Sequence, residues 1–408
     1  MTRASRLATV PATLVAALAA ACAADAPPPG PAWTGTMDTL PSGQVVVRNS
    51  ADPLWREGDA WRVVEVLRIG SVEGGRPDAF GRVAAFEVDD AGRIWIVDEI
   101  AQQLIVFDGS GAHLRTIGRP GAGPGEFRAA VDVDLAPDGH VWVVDVGNAR
   151  ISVFDTAGRY LDAKPIPTKF KMTPWFGGGF DAHGRFYAPV QAPPSPAEQI
   201  AFTLVRHDAA LVPRDTLERP VDPVERDVVY VRGYPVPIPL QGRLVWRRSR
   251  DGTVWALITD PYRLFELGWS GDTLRTITRP SEPVPVTEAD MERLRERWAR
   301  TIEREGLPRW WSRIPDTKPP VTGLFFQEER NLWVERQPDG APDGTRPFDV
   351  FDREGRYLGV VRVPFALSGL PGPDPIARDG FLYGVTLDSL DVQYIVKARI
   401  VRGRGGAE

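Results

Sequence analysis

Two stretches of the chain carry the same alternation of apolar runs and turn residues. Residues 80–118 read FGRVAAFEVDDAGRIWIVDEIAQQLIVFDGSGAHLRTIG, and residues 127–163 read FRAAVDVDLAPDGHVWVVDVGNARISVFDTAGRYLDA. They superpose almost residue for residue, with Gly92 matching Gly139, 47 residues on. Each predicts four short strands: a first strand (Val83 to Val88; Val131 to Leu135), an Asp-Gly turn, and a β-branched or aromatic second strand (Ile94 to Val97; Val141 to Val144). A short loop, a third strand ending Val-Phe-Asp, a glycine turn and a fourth strand follow. Asp caps the local backbone of such turns and Gly accepts their positive φ. Four antiparallel strands per repeat are one blade of a β-propeller.

Weaker copies follow. Their second strands are marked by Gly184-Arg185-Phe186-Tyr187, Gly252-Thr253-Val254-Trp255, Asn331-Leu332-Trp333-Val334 and Gly380-Phe381-Leu382-Tyr383. Six second strands predict six blades. The last copy lacks a fourth strand, and Val64 to Gly70 has the fourth-strand pattern, so the N-terminal strand is expected to close the ring and remove its open edges. Gln44 to Arg48 predicts a further strand packed nearby. Between the fourth and fifth blades, residues 287–305 (TEADMERLRERWARTIERE) predict one helix. Thr287 is its N-cap, Gly306 its stop, and Met291, Leu294, Trp298 and Ile302 form one face. It either covers the ring or serves as a lid or docking element.

The first 22 residues have another character. Arg3 and Arg6 precede a short Ala-rich apolar run, too short to span a bilayer comfortably, that ends Leu18-Ala19-Ala20-Ala21-Cys22. This is a secretory signal. Cys22, the only cysteine, sits where lipidation would occur; the alternative is an ordinary signal with a chance Cys. Residues 23–42 read as a polar, Pro-rich tether, 43–402 as the propeller and 403–408 as a disordered tail. The expected location is the cell envelope, lipid-anchored on the outer-membrane or periplasmic side, as a monomer.

Composition narrows the function classes. With 40 Gly and 39 Pro the chain suits many short strands and turns. A net charge of −5 gives no basic field, so no nucleic-acid partner is expected. One cysteine permits no internal disulfide, and no GxSxG or GxxxxGKS motif occurs. No catalytic residue and no cofactor are predicted.

The run Gly121 to Phe127 (GAGPGEF) followed by VDVDLAPDGHVWVVDVGNARISVFD resembles an NHL repeat, and the chain is similar to bacterial six-bladed β-propeller proteins, many of them exported lipoproteins. The resemblance implies an all-β ring of six four-stranded blades and leaves function open, because propellers host binding proteins, lyases and hydrolases alike. An amidating lyase of similar build uses a His-held zinc. His113, His140, His183 and His207 lie on turns or outer strands and are not expected to converge, so no metal site is predicted. Lactonase-like propellers hold a divalent ion with Glu, Asn and Asp. Here Asp98, Glu99, Asp145 and Glu335 follow second strands and would line one mouth, unless Asp98 and Asp145 serve loop amides instead.

Binding is therefore the leading expectation: a protein, peptide or glycan held at the mouth formed by loops before first strands and after second strands. The candidate contacts are Arg82, Asp98, Glu126, Arg128, Asp145 and Asn148. Trp175, Trp310 and Trp311 lie outside the repeat cores and are either exposed platforms or buried plugs. The alternative is a metal-dependent lactonase- or lyase-like hydrolase with a carboxylate site in the central channel.

Overall fold

The computed structural model describes residues 32–56, 58–166, 178–192, 201–217, 228–231, 234–308, 310–327, 331–338, 345–367 and 373–403. Six antiparallel sheets form the ring. Blade 1 comprises Val83–Val88, Ile94–Asp98, Gln103–Phe107 and His113–Ile117. Blade 2 comprises Ala130–Leu135, Val141–Asp145, Arg150–Phe154 and Tyr160–Pro165. Blade 3 is Gly179–Phe180, Phe186–Ala192, Ala201–His207 and Pro213–Thr216, and blade 4 is Leu244–Arg248, Val254–Thr259, Tyr262–Leu267 and Thr273–Thr278. Blade 5 is Val321–Phe326, Leu332–Arg336, Arg346–Phe351 and Tyr357–Val363. Blade 6 takes three strands from the C-terminal end, Ile376–Arg378, Phe381–Leu387 and Gln393–Val401, and its fourth, Arg62–Ile69, from the N-terminal side. Closure by an N-terminal strand is thus as the pattern predicts.

The repeated aspartates explain why the repeat folds alike each time. Asp89, after the first strand of blade 1, accepts from the backbone N–H of Ala91 and Arg93 at 3.0 and 2.9 Å and from Trp95 Nε1 at 2.9 Å. Asp181 does the same in blade 3, with the Tyr187 hydroxyl in place of the indole. Asp108, Asp155, Asp208, Asp352 and Asp388 each accept the N–H groups two and four residues on, fixing the turn before the outer strand. Satisfying two or three turn amides with one carboxylate leaves the flanking strands free to pair.

The core lies between blades. Trp95, Phe127 and Phe154 fill the space between blades 1 and 2, and Trp61, Trp333 and Phe348 that between blades 5 and 6. Each such side chain contributes roughly 1.5–3 kcal/mol by leaving water. Polar side chains also bridge neighbours. Gln102 accepts from Ala130 N–H at 3.1 Å, and Gln393 from Val83 N–H at 2.6 Å across the closure.

The N-terminal arm has a definite place. Val45–Arg48 pairs in parallel with the outer strand of blade 4, Val45 opposite Arg275, and Thr36–Thr39 adds antiparallel outside it. Blade 4 thereby becomes six-stranded. Asn49 joins this arm to blade 5: it accepts from Tyr357 N–H at 2.7 Å and donates to the Gly355 carbonyl at 3.0 Å.

The predicted helix is two helices. α1 (Glu288–Arg297) begins with the expected Thr287–Asp290 capping box, and α2 (Ala299–Glu305) follows a break at Trp298. Leu294 is buried, and Asp290 is buried against Lys318, which contacts both its oxygens at 2.8 and 2.7 Å. Trp310 is a plug, 1% exposed, packed edge-on against Trp298. Trp175 lies outside the described residues. Among the described residues no helix is long and apolar enough to cross a membrane.

Candidate functional site: a charged channel

Strand parity decides which side chains reach the middle of the ring. On the first strand of blade 1, Phe86 and Val88 pack toward blade 6, so Glu87 projects the other way. On that of blade 2, Val133 packs toward blade 1, which sends Asp132 and Asp134 toward blade 3. On that of blade 4, Trp246 packs toward blade 3 and Arg248 shares its face, whereas Arg247 shares the face of Val245 toward blade 5.

Blade 3 makes room for these groups. Its first strand is two residues long and begins with Gly179, at φ +92°. A Cβ there would collide with the Asp134 carboxylate. Asp134 accepts from Phe180 N–H and from Leu135 N–H, the latter at 2.8 Å. From the other side Arg248 donates to the Gly178 carbonyl at 2.8 Å and lies over the Tyr187 ring, 4.7 Å from its centroid.

The result is a cavity of about 1040 Å³ in the channel. Glu87, Asp132, Asp134, Arg247, Arg248 and Arg250 are among its walls. It extends to the turns between first and second strands, including those at Asp90, Pro137, Ala182 and Asp251. Several of its charges are already neutralised. Arg247 pairs with Asp374 at 2.7 Å, Arg378 with Asp90 at 2.8 Å, and Arg93 with Asp89 at 2.6 Å.

Glu87, Asp132 and Asp134 are different. Their proton affinity is raised, first because they lie far from bulk solvent. Asp134 then adds its own negative charge to the burden on Glu87 and Asp132, and Asp132 is pushed up to about 7. Arg248 and the N–H groups of Phe180 and Leu135 hold Asp134 back from a larger rise. Arg250, exposed at the mouth, counters Glu87 and Asp134. All three carboxylate residues line the cavity.

The residues expected at the other mouth have other surroundings. Asp98, buried, accepts from the N–H of Gly81, Arg82, Ile100 and Ala101. Asp145 accepts from the N–H of Arg128, Ala129 and Asn148, and from the Asn148 amide at 2.6 Å. Both serve loop amides, tying the loop before the first strand to the loop after the second. Arg82 pairs with Glu99, and Glu126 with Arg119 at 2.8 Å, while Arg128 is exposed. None of the six lines the large cavity. Cys22 lies outside the described residues. Among those described, no three His, Cys, Asp or Glu side chains are grouped to hold a metal ion.

The channel residues escape a reading in which first strands are simply apolar and packed on both faces. Their signal is nonetheless in the sequence: Glu87, Asp132, Asp134, Arg247 and Arg248 are charges inside otherwise apolar first strands, where a charge has only the channel to face.

Ring, blades and channel define the class: this is a six-bladed β-propeller. Residues 79–175 match a family model described as a 6-bladed beta-propeller. No curated protein matches the chain. In fold the chain is similar to a candidate exported protein from Bacteroides fragilis (11% identity, 88% of this chain and 100% of that one, TM-score 0.48). It is likewise similar to virginiamycin B lyase from Staphylococcus aureus (12%, 84% and 100%, 0.42) and to regucalcin, a calcium-binding protein from Agrobacterium tumefaciens (13%, 83% and 96%, 0.40).

Proposed function

We propose that the protein is an exported binding propeller, tethered through Cys22, that receives a polar ligand in its central channel. The observation that supports this most directly is the cavity of about 1040 Å³ with charged walls, at the upper end of the range for small-molecule sites, roughly 300–1,000 Å³. Charges inside first strands weaken the core unless they serve a ligand. The partner class remains a protein, peptide or glycan, of which the part entering the channel is small and polar. The tether also has geometry. Residues 23–31 reach about 30 Å at full extension, and the arm that follows them runs along the outer edge of blade 4.

The alternative reading is a metal-dependent hydrolase. Native mass spectrometry and elemental analysis of the mature protein from envelope separate the two. A co-purifying organic ligand lost in a D134N variant supports binding, and a stoichiometric divalent metal supports the hydrolase. Labelling with palmitate, abolished by C22A, tests the anchor.

A further inference from the structure

The ligand class can be narrowed, on the reading that the channel binds one. Most guanidinium groups of the cavity wall are engaged. Arg93 pairs with Asp89, Arg247 with Asp374, Arg275 with Glu266 and Arg378 with Asp90. Arg248 holds the Gly178 carbonyl and lies over the Tyr187 ring, and Arg250 is exposed at the mouth. Two acids are less engaged. Among the described residues, Glu87 takes only the Val88 N–H, at 3.2 Å, and Asp132 only the Val133 N–H, at 3.0 Å, each on a single oxygen. The second oxygen of each has no hydrogen-bond partner there, and both residues line the cavity. Distance from bulk solvent raises the proton affinity of both, Asp132 to about 7, so near neutral pH they stand largely as uncharged acids. An uncharged carboxyl group offers one O–H donor and an acceptor, and no charge. Part of the wall is apolar. Phe180 lies beside Asp134, and Phe325 and Phe326 stand on blade 5, opposite blade 2 in the six-bladed ring.

We propose that the cavity takes one or two uncharged sugar units, their hydroxyl groups on the side chains of Glu87 and Asp132 and a ring face toward Phe325 and Phe326. A hydroxyl group both donates and accepts, so it satisfies a carboxyl group whether the proton is on or off. A peptide group keeps its donor and its acceptor at separate, fixed places and cannot follow that change. A cation would first have to drive the protons from Glu87 and Asp132. An anion would meet the charge of Asp134 while Arg248 is already engaged. The C–H face of a sugar ring is apolar surface, and aromatic rings cover such surface well.

Titration calorimetry of the full chain in a sugar-free detergent tests this. Maltose, cellobiose, lactose and mannobiose are the neutral probes, glucosamine and glucuronate the charged ones, and N-acetyl-dialanine amide an uncharged peptide. At least one neutral disaccharide binds, about tenfold or more tighter than the charged sugars, and its Kd changes less than about threefold between roughly pH 5.5 and 8.5. Asp132→Ala, with Glu87→Ala as the second variant, weakens it at least about tenfold. Asp132→Asn, whose amide keeps a donor and an acceptor, stays within about threefold of wild type. Preference for glucosamine or glucuronate, or an affinity that follows the ionisation of Asp132, overturns the uncharged sugar and leaves the channel as a binding site. Binding of the blocked peptide in place of the sugars, abolished by Asp132→Ala, does the same. Sugar binding unchanged in both alanine variants, with each folded by its melting temperature, lies outside the channel and overturns both readings. Failure of every probe overturns the sugar, and the channel reading falls with it unless protein from the envelope carries an organic ligand that D134N loses.

Discussion

Asp134 and Arg248 approach each other from opposite sides of the two-residue first strand of blade 3. The carboxylate takes the Phe180 N–H and the guanidinium takes the Gly178 carbonyl at 2.8 Å. Two side chains from blades 2 and 4 therefore hold the ends of a strand too short to hold itself. Gly178 and Phe180 of this stretch line the cavity wall.

Gly179 is the most demanding position in this arrangement. At φ +92°, with Asp134 where a Cβ would go, Gly179→Ala should destabilise the protein by roughly 1–3 kcal/mol from backbone strain alone. It should also push Asp134 from Phe180. Urea denaturation measures the first, and a change below about 0.5 kcal/mol would show that the strand adapts freely.

Asn49 holds the N-terminal arm to two blades. Asn49→Ala strands the Tyr357 N–H and the Gly355 carbonyl, a loss of about 2–3 kcal/mol if both stay buried. The arm should then become protease-sensitive ahead of the ring. Limited proteolysis with N-terminal sequencing checks the order of cleavage.

Asp290 and Lys318 pin the helical excursion. Burial alone would raise the Asp290 carboxyl, but Lys318 and the Thr287 N–H and hydroxyl outweigh it and bring it to about 2. A depressed carboxylate stabilises above its unfolded value of 3.8 and loses that contribution as pH falls through 2. Unfolding of the excursion between about pH 4 and 2, followed by Trp298 and Trp310 fluorescence, is expected. Lys318→Met leaves Asp290 to Arg293 and the Thr287 N–H and hydroxyl and should cost roughly 1.5–3 kcal/mol at pH 7.

Asp132 predicts the opposite slope. Its proton affinity is raised from 3.8 to about 7, so its contribution is full below pH 3.8 and is lost as pH rises through 7. Asp132→Asn should match the wild type near pH 4 and exceed its melting temperature at pH 8. The gain should be about 1–3 kcal/mol, less than the full shift gives, because channel water still reaches the carboxylate. A variant no more stable at pH 8 than at pH 4, relative to wild type, contradicts this placement.

Ring closure depends on Arg62–Ile69, which pairs along Gln393–Val401. A chain starting at residue 70 would expose that edge and lose the arm on blade 4. It should elute as aggregate in size-exclusion chromatography, whereas a chain starting at residue 32 should elute as a compact species.

Much of this was written in local pattern. Strand alternation, Asp-Gly turns and the 47-residue spacing of Gly92 and Gly139 act within one repeat, so six blades and the closing strand could be read directly. The capping box at Thr287 is local and legible too. The break at Trp298 was not: the indole packs on Trp310, twelve residues on, and that contact has no counterpart in helical periodicity. The parallel pairing of Val45–Arg48 with blade 4 likewise joins segments some 230 residues apart. The carboxylates of Asp98 and Asp145 could be assigned either to a ligand or to loop amides, and only the positions of the loop N–H groups decide for the amides. Sequence determines which strands form and in what order, because turn chemistry and alternation are properties of neighbours. Tertiary structure decides which charges share the channel, because Glu87, Asp132, Asp134 and Arg248 meet only when six blades close around a common axis.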